Sequence, residues 1–130
     1  ENLRHPLMMI GSDGIADLRG QPHPRLFGTF PKVLGHYVRE QGVLELPEAV
    51  RRMTSLSCDR FGFVDRGRIA DGQFADLVLF DPATIADTAT YDEPKQEATG
   101  IDLVVVNGKI ALRDGSHTGV GGGQLLHHLK

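Results

Sequence analysis

The chain has 130 residues, enough for one domain with a modest core. Its net charge of -3 supplies no basic field for nucleic acid or acidic membranes, and no apolar run approaches the roughly 18 residues of a membrane span, so neither nucleic acid nor membrane is expected as a partner. A single cysteine, Cys58, rules out an internal disulfide, and no charged-then-apolar leader is visible, so a cytoplasmic location is expected.

Leu7-Met8-Met9-Ile10 runs straight into Gly11-Ser12-Asp13-Gly14. A short continuous apolar run suits a strand buried on both faces of a parallel sheet, over residues 6–12. An acid at the C-terminal end of such a strand stands where α/β enzymes place their chemistry. The same residues also read as an ordinary Asx-turn. A doubly buried strand needs neighbours that the preceding residues do not supply, which points to a piece of something larger with an orphaned strand.

Residues 14–31 read as a loop rich in Gly, Pro, Arg and His, and a loop of that length in a compact domain is often functional. Pro22 and Pro24 stiffen His23 in an extended backbone, and a stiffened His and Arg suit an anion. A solvated loop with incidental charges fits equally well.

Thr29-Phe30-Pro31-Lys32 then opens a helix, with Pro31 in the first turn, an apolar stripe of Val33, Leu34, Tyr37 and Val38, and a stop at Gly42. His36 reads as a packed or surface histidine rather than a ligand. A second helix follows over residues 46–54, led by Pro47 and Glu48. Cys58 at its end reads as a small, half-buried side chain more readily than as a catalytic thiol.

From about residue 61 the period becomes strand-like. Asp76-Leu77-Val78-Leu79-Phe80-Asp81-Pro82 is a strand ended by proline, and residues 83–99 are expected to cross the surface without regular structure. Apolar β-rich runs flank Asn107-Gly108, the strongest two-residue hairpin signal, and Asp114-Gly115 marks the next turn. His127-His128 suggests a metal pair, but adjacent residues do not share a face.

Five stretches carry a resemblance: strand-Gly11-Ser12-Asp13-Gly14; His23 to Tyr37; Glu48 to Leu56; Asp65-Arg66-Gly67-Arg68-Ile69 with Gly72 to Val78; and Val106-Asn107-Gly108. Together they resemble the C-terminal portion of the N-acyl-D-amino-acid deacylase (D-aminoacylase) family of the amidohydrolase superfamily. The Gly72 to Val78 and Asn107-Gly108 pieces are signals of the superfamily; the His23 to Tyr37 run belongs to the D-aminoacylase branch.

The resemblance implies an α/β protein, α+β as a fragment. Residues 1–60 would be the last strand, active-site loop and helices of a (β/α)8 barrel, and 61–130 part of a small β-sandwich. It implies zinc in the full-length parent, with no zinc expected on this chain alone, since the other ligands lie upstream. Asp13 matches the aspartate that contacts the zinc site, takes the proton of the hydrolytic water and returns it to the leaving amine. Arg25 matches an arginine placed to pair with the free carboxylate of an N-acyl amino acid, and His23 is a second candidate beside it. The stretch Ile15-Ala16-Asp17-Leu18-Arg19 departs from the family's usual composition.

The implied partners are a small-molecule N-acyl amino acid and the remainder of the barrel, or self-association through the orphaned strand. Two other readings stay open: an amidohydrolase of hydantoinase- or dipeptidase-like substrate, and a non-enzymatic α+β module.

Overall fold

The computed structural model describes residues 2–15 and 19–127. Ala16, Asp17 and Leu18 of the unusual stretch, and His128 of the histidine pair, lie outside the described residues. The chain folds as two compact units, one formed by Glu1–Met53 with Asp81–Gly100 and the other by Thr54–Phe80 with Ile101–Lys130.

In the first unit, a single 3-10 turn over Asn2–Arg4 precedes the apolar run. The run is not a strand. Leu7 is 77% exposed and only Ile10 is buried, its N–H donating to the Arg52 carbonyl at 3.3 Å. A strand exists only where its backbone finds a ladder, and among the described residues none runs beside this segment. Neither the expected parallel strand nor its orphaned edge is therefore formed.

Helix α1 begins earlier than the sequence suggests, at Arg25, with Pro24 in the capping position, and extends to Lys32. Pro31 thus lies inside the helix, where it contributes no N–H to the backbone ladder. From Val33 to Glu40 the helix continues in the wider π form, and the Gln41 N–H donates to the His36 carbonyl five residues back at 3.0 Å. Helix α2 spans Leu46–Met53, as the Pro47-Glu48 start indicates.

Residues 83–99 do more than cross the surface. Ile85 is 2% exposed and joins Ile10, Val33, Leu34 and Ala49 as the core of this unit. A Cβ on Gly35 would stand 2.5 Å from the Ile85 carbonyl oxygen, so only glycine lets the helix approach this closely. The same oxygen accepts a hydrogen bond from Arg39 at 2.6 Å. Arg52, 3% exposed, is tolerated because it is fully engaged: it donates to the Leu3 and His5 carbonyls at 2.6 and 2.8 Å and pairs with Glu48 at 2.7 Å. Arg51 and Arg52 together pull the Glu48 carboxyl down to about 2.

In the second unit, α3 (Ser55–Phe61) is followed by an antiparallel sheet in the order β1-β2-β3-β4, with β1 Leu77–Phe80, β2 Ile101–Val106, β3 Lys109–Arg113 and β4 Ser116–His117. The Asn107-Gly108 turn joins β2 to β3 with both residues at positive φ, 48° and 77°, the geometry that twists with the strands. Asp114-Gly115 repeats it between β3 and β4. Arg66 knits the loops below: it reaches Asp76 at 2.5 Å and lies over the Phe74 ring at 4.7 Å, while Asp76 accepts the Asn107 N–H at 2.7 Å. The whole is a mixed helix and antiparallel-sheet structure, α+β.

Candidate functional site

The site grows from the turn at Asp13 and the start of α1, both in the first unit. Ser12 Oγ accepts the Gly14 N–H at 3.2 Å, which tightens the turn. Asp13 sits at φ 49°, a left-handed conformation that Asp tolerates better than most residues. Its side chain is turned outward, 82% exposed, and faces Arg25, 41% exposed. Arg25 Nη2 lies 2.9 Å from Asp13 Oδ2, and Arg25 Nε donates to the Asp13 backbone oxygen at 3.0 Å. The turn can lie this close to the helix because Gly14 has no Cβ, which would stand 2.9 Å from Leu26.

His23 closes the other side. Its Nδ1 accepts the Arg25 N–H at 3.0 Å, the Leu26 N–H goes to the His23 carbonyl at 3.0 Å, and the Phe27 N–H to the Pro24 carbonyl at 3.1 Å. The backbone donors at the helix start are thus taken, and positive charge comes from the side chains of Arg25 and Arg19, which both line the same hollow. Asp13, Gly14, Ile15, His23, Arg25 and Leu26 line a half-open hollow of about 220 Å³. The three residues singled out in the sequence therefore converge on one place.

Chemically, the arrangement offers a carboxylate able to accept a proton and a guanidinium able to hold an anion in two directions. It does not offer a metal centre of its own. A catalytic zinc takes three protein ligands, and among the described residues no three histidine, cysteine or carboxylate side chains converge. At this hollow Asp13 is ion-paired and His23 Nδ1 is occupied, so the residues present do not by themselves fit a bound zinc.

The other sequence candidates stand apart. His36 bonds Glu40 and Gln41, both at 2.9 Å, and this contact with His36 holds the Glu40 carboxyl below its usual range. Cys58 lies against Gly67, whose Cβ would stand 2.6 Å from Sγ, and burial pushes the thiol up, away from the nucleophilic thiolate. Sequence reasoning missed Gln21 and Tyr91. Gln21 donates to the Tyr91 and Asp92 carbonyls at 2.6 and 3.2 Å, and the Tyr91 hydroxyl meets His23 Nε2 at 3.1 Å. These contacts span about seventy residues of chain, and no local pattern announces them.

Residues 1–112 match the sequence model of the amidohydrolase family. The chain belongs to the amidohydrolase family. It is 52% identical over 118 residues to a D-aminoacylase of Alcaligenes xylosoxydans xylosoxydans, covering 91% of this chain and 24% of that protein. Its structure superposes on a solved D-aminoacylase with a TM-score of 0.89 at 49% identity, over 94% of this chain and 26% of the other. It also superposes on N-acyl-D-glutamate deacylase from Bordetella bronchiseptica, solved with zinc and a phosphonate mimic of the tetrahedral intermediate, with a TM-score of 0.81 at 48% identity, over 87% of this chain and 24% of the other. This amidohydrolase chain thus spans about a quarter of the length of the relatives it matches.

Proposed function

We propose that this chain is the C-terminal part of an amidohydrolase that cleaves the amide of N-acyl-D-amino acids to a carboxylate and a free D-amino acid. The observation that carries the reading is the pairing of Asp13 with Arg25 at the mouth of one hollow. It sets a proton acceptor beside a cation suited to a substrate carboxylate.

In this reading Arg25 pairs with the α-carboxylate of the substrate and fixes the amide relative to Asp13. Asp13 takes a proton from water as the water oxygen bonds to the acyl carbon. When the carbon–nitrogen bond breaks, Asp13 passes that proton to the leaving nitrogen, and the amino acid departs as the amine. His23 holds the start of the helix from which Arg25 projects. Residues 1–60 are the close of the barrel and residues 61–130 part of the small β-sandwich, with 81–100 the part of the second span that folds with the first unit. The zinc of the complete enzyme draws its ligands from outside this chain, with Asp13 the one contribution made here. The remainder of the enzyme is the partner this chain requires.

The test is kinetic and uses the complete enzyme with an N-acetyl-D-amino acid and its α-carboxamide. Arg25→Ala is expected to raise KM for the acid and leave the carboxamide unaffected. An equal effect on both substrates refutes the clamp and favours a hydantoinase- or dipeptidase-like substrate. The 130-residue chain alone is expected to be inactive.

A further inference from the structure

The turn at residues 90–93 has no part in the chemistry above, yet it is built with care. The Thr90 N–H donates to the Glu93 carbonyl at 3.1 Å, and the Glu93 N–H to Thr90 Oγ1 at 2.9 Å. A further bond from Thr88 Oγ1 to the Glu97 carbonyl, at 2.6 Å, closes the neck of this excursion. The turn presents Tyr91 to the loop that precedes α1. There the Tyr91 and His23 rings meet edge to face, with centroids 5.1 Å apart and planes at 74°.

The hydrogen bonds of His23 settle how its ring is protonated. Nδ1 accepts the Arg25 N–H, so it carries a lone pair, and in the neutral ring the proton sits on Nε2. That Nε2–H donates to the Tyr91 hydroxyl oxygen. The imidazole is thus held at both nitrogens: one end caps the first residue of α1, and the other is anchored on Tyr91. Gln21 ties the same loop to the 91–92 backbone through two further bonds.

We propose that Tyr91 is a positioning residue for the carboxylate-binding end of the site, holding His23 in the Nε2–H tautomer so that its Nδ1 fixes the backbone from which Arg25 reaches the substrate. This rests on the clamp role of Arg25 proposed above. Tyr91 touches no reacting atom. It acts through His23, and its effect falls on substrate capture rather than on the bond-breaking step.

The experiment uses the complete enzyme and steady-state kinetics with the N-acetyl-D-amino acid that the wild type turns over fastest, and with its α-carboxamide. Tyr91→Phe keeps the ring contact and removes the hydroxyl acceptor. It is expected to raise KM for the acid roughly fivefold, the equivalent of one hydrogen bond of about 1 kcal/mol, with kcat and the carboxamide kinetics unchanged. His23→Asn keeps an acceptor near the Nδ1 position but cannot reach Tyr91. In that background Tyr91→Phe is expected to add nothing, because the two residues act in series. An unchanged KM in Tyr91→Phe, an equal rise for the carboxamide, or additive effects in the double variant overturns the proposal. Should Arg25→Ala raise KM for the acid while Tyr91→Phe is silent, only the positioning role falls. Should Arg25→Ala also be silent, the clamp falls and takes this proposal with it.

Discussion

Arg25 reaches back twelve residues and takes hold of Asp13 twice, through Nη2 to the carboxylate at 2.9 Å and through Nε to the backbone oxygen at 3.0 Å. A lysine has one ammonium and cannot reproduce this two-point grip. Arg25→Ala in the complete enzyme is expected to raise KM for the N-acyl-D-amino acid roughly ten- to a hundredfold, the range for a charged hydrogen bond worth about 1.5–3 kcal/mol. Arg25→Lys is expected to recover only part of that loss. Full recovery by lysine in the same assay would show that charge alone matters.

Asp13→Asn removes the proton acceptor and keeps the shape of the side chain. The expected outcome is a fall in kcat of roughly a hundredfold or more, with KM little changed. A KM effect without a kcat effect would move Asp13 from the chemistry to substrate binding.

Glu48 links folding to pH. Arg51 and Arg52 draw its carboxyl down to about 2 in the folded protein, against an ordinary value of 4.5. A depressed folded value means the stabilisation is fully present above about 4.5 and is lost as pH falls towards about 2. Glu48→Gln is therefore expected to lower the denaturation midpoint at neutral pH, with the gap to wild type closing across that acid window. Midpoints measured from pH 7 to pH 2 check it, and a gap that stays constant contradicts it.

Gly35→Ala tests the contact between the π-helical stretch and Ile85. The added Cβ would stand 2.5 Å from a backbone oxygen, which cannot swing aside as a side chain can. A loss of about 1–3 kcal/mol is expected, read as a lower melting temperature. Gly121→Ala, which meets nothing within 4 Å, serves as the control and is expected to be near neutral.

The legible parts of the fold were those set by chemistry within a few residues. Asn107-Gly108 and Asp114-Gly115 turn as read because residues tolerant of positive φ leave few other choices. The run Leu7 to Ile10 misled for a physical reason: hydrophobicity says that a segment seeks burial, not whether a ladder waits beside it. Pro31 misled because a proline inside a helix and one at its start differ only in what precedes them, and Pro24 held the true capping position. Asp13, Arg25 and His23 were singled out from a short motif, and the structure brings them to one hollow. The residues that hold that motif in place, Gln21 and Tyr91, were not, because their contacts close over long stretches of chain.

The backbone passes between the two units three times, after Met53, after Phe80 and after Gly100. During synthesis, the first unit cannot finish its core until Ile85 leaves the ribosome, by which time β1 already waits for β2. The first unit has all its residues once Gly100 has emerged, while the second still waits for β2, so the two are built as an interleaved pair. A protease that cuts one of these crossings leaves the other two joining the units covalently, so a single cut would release neither.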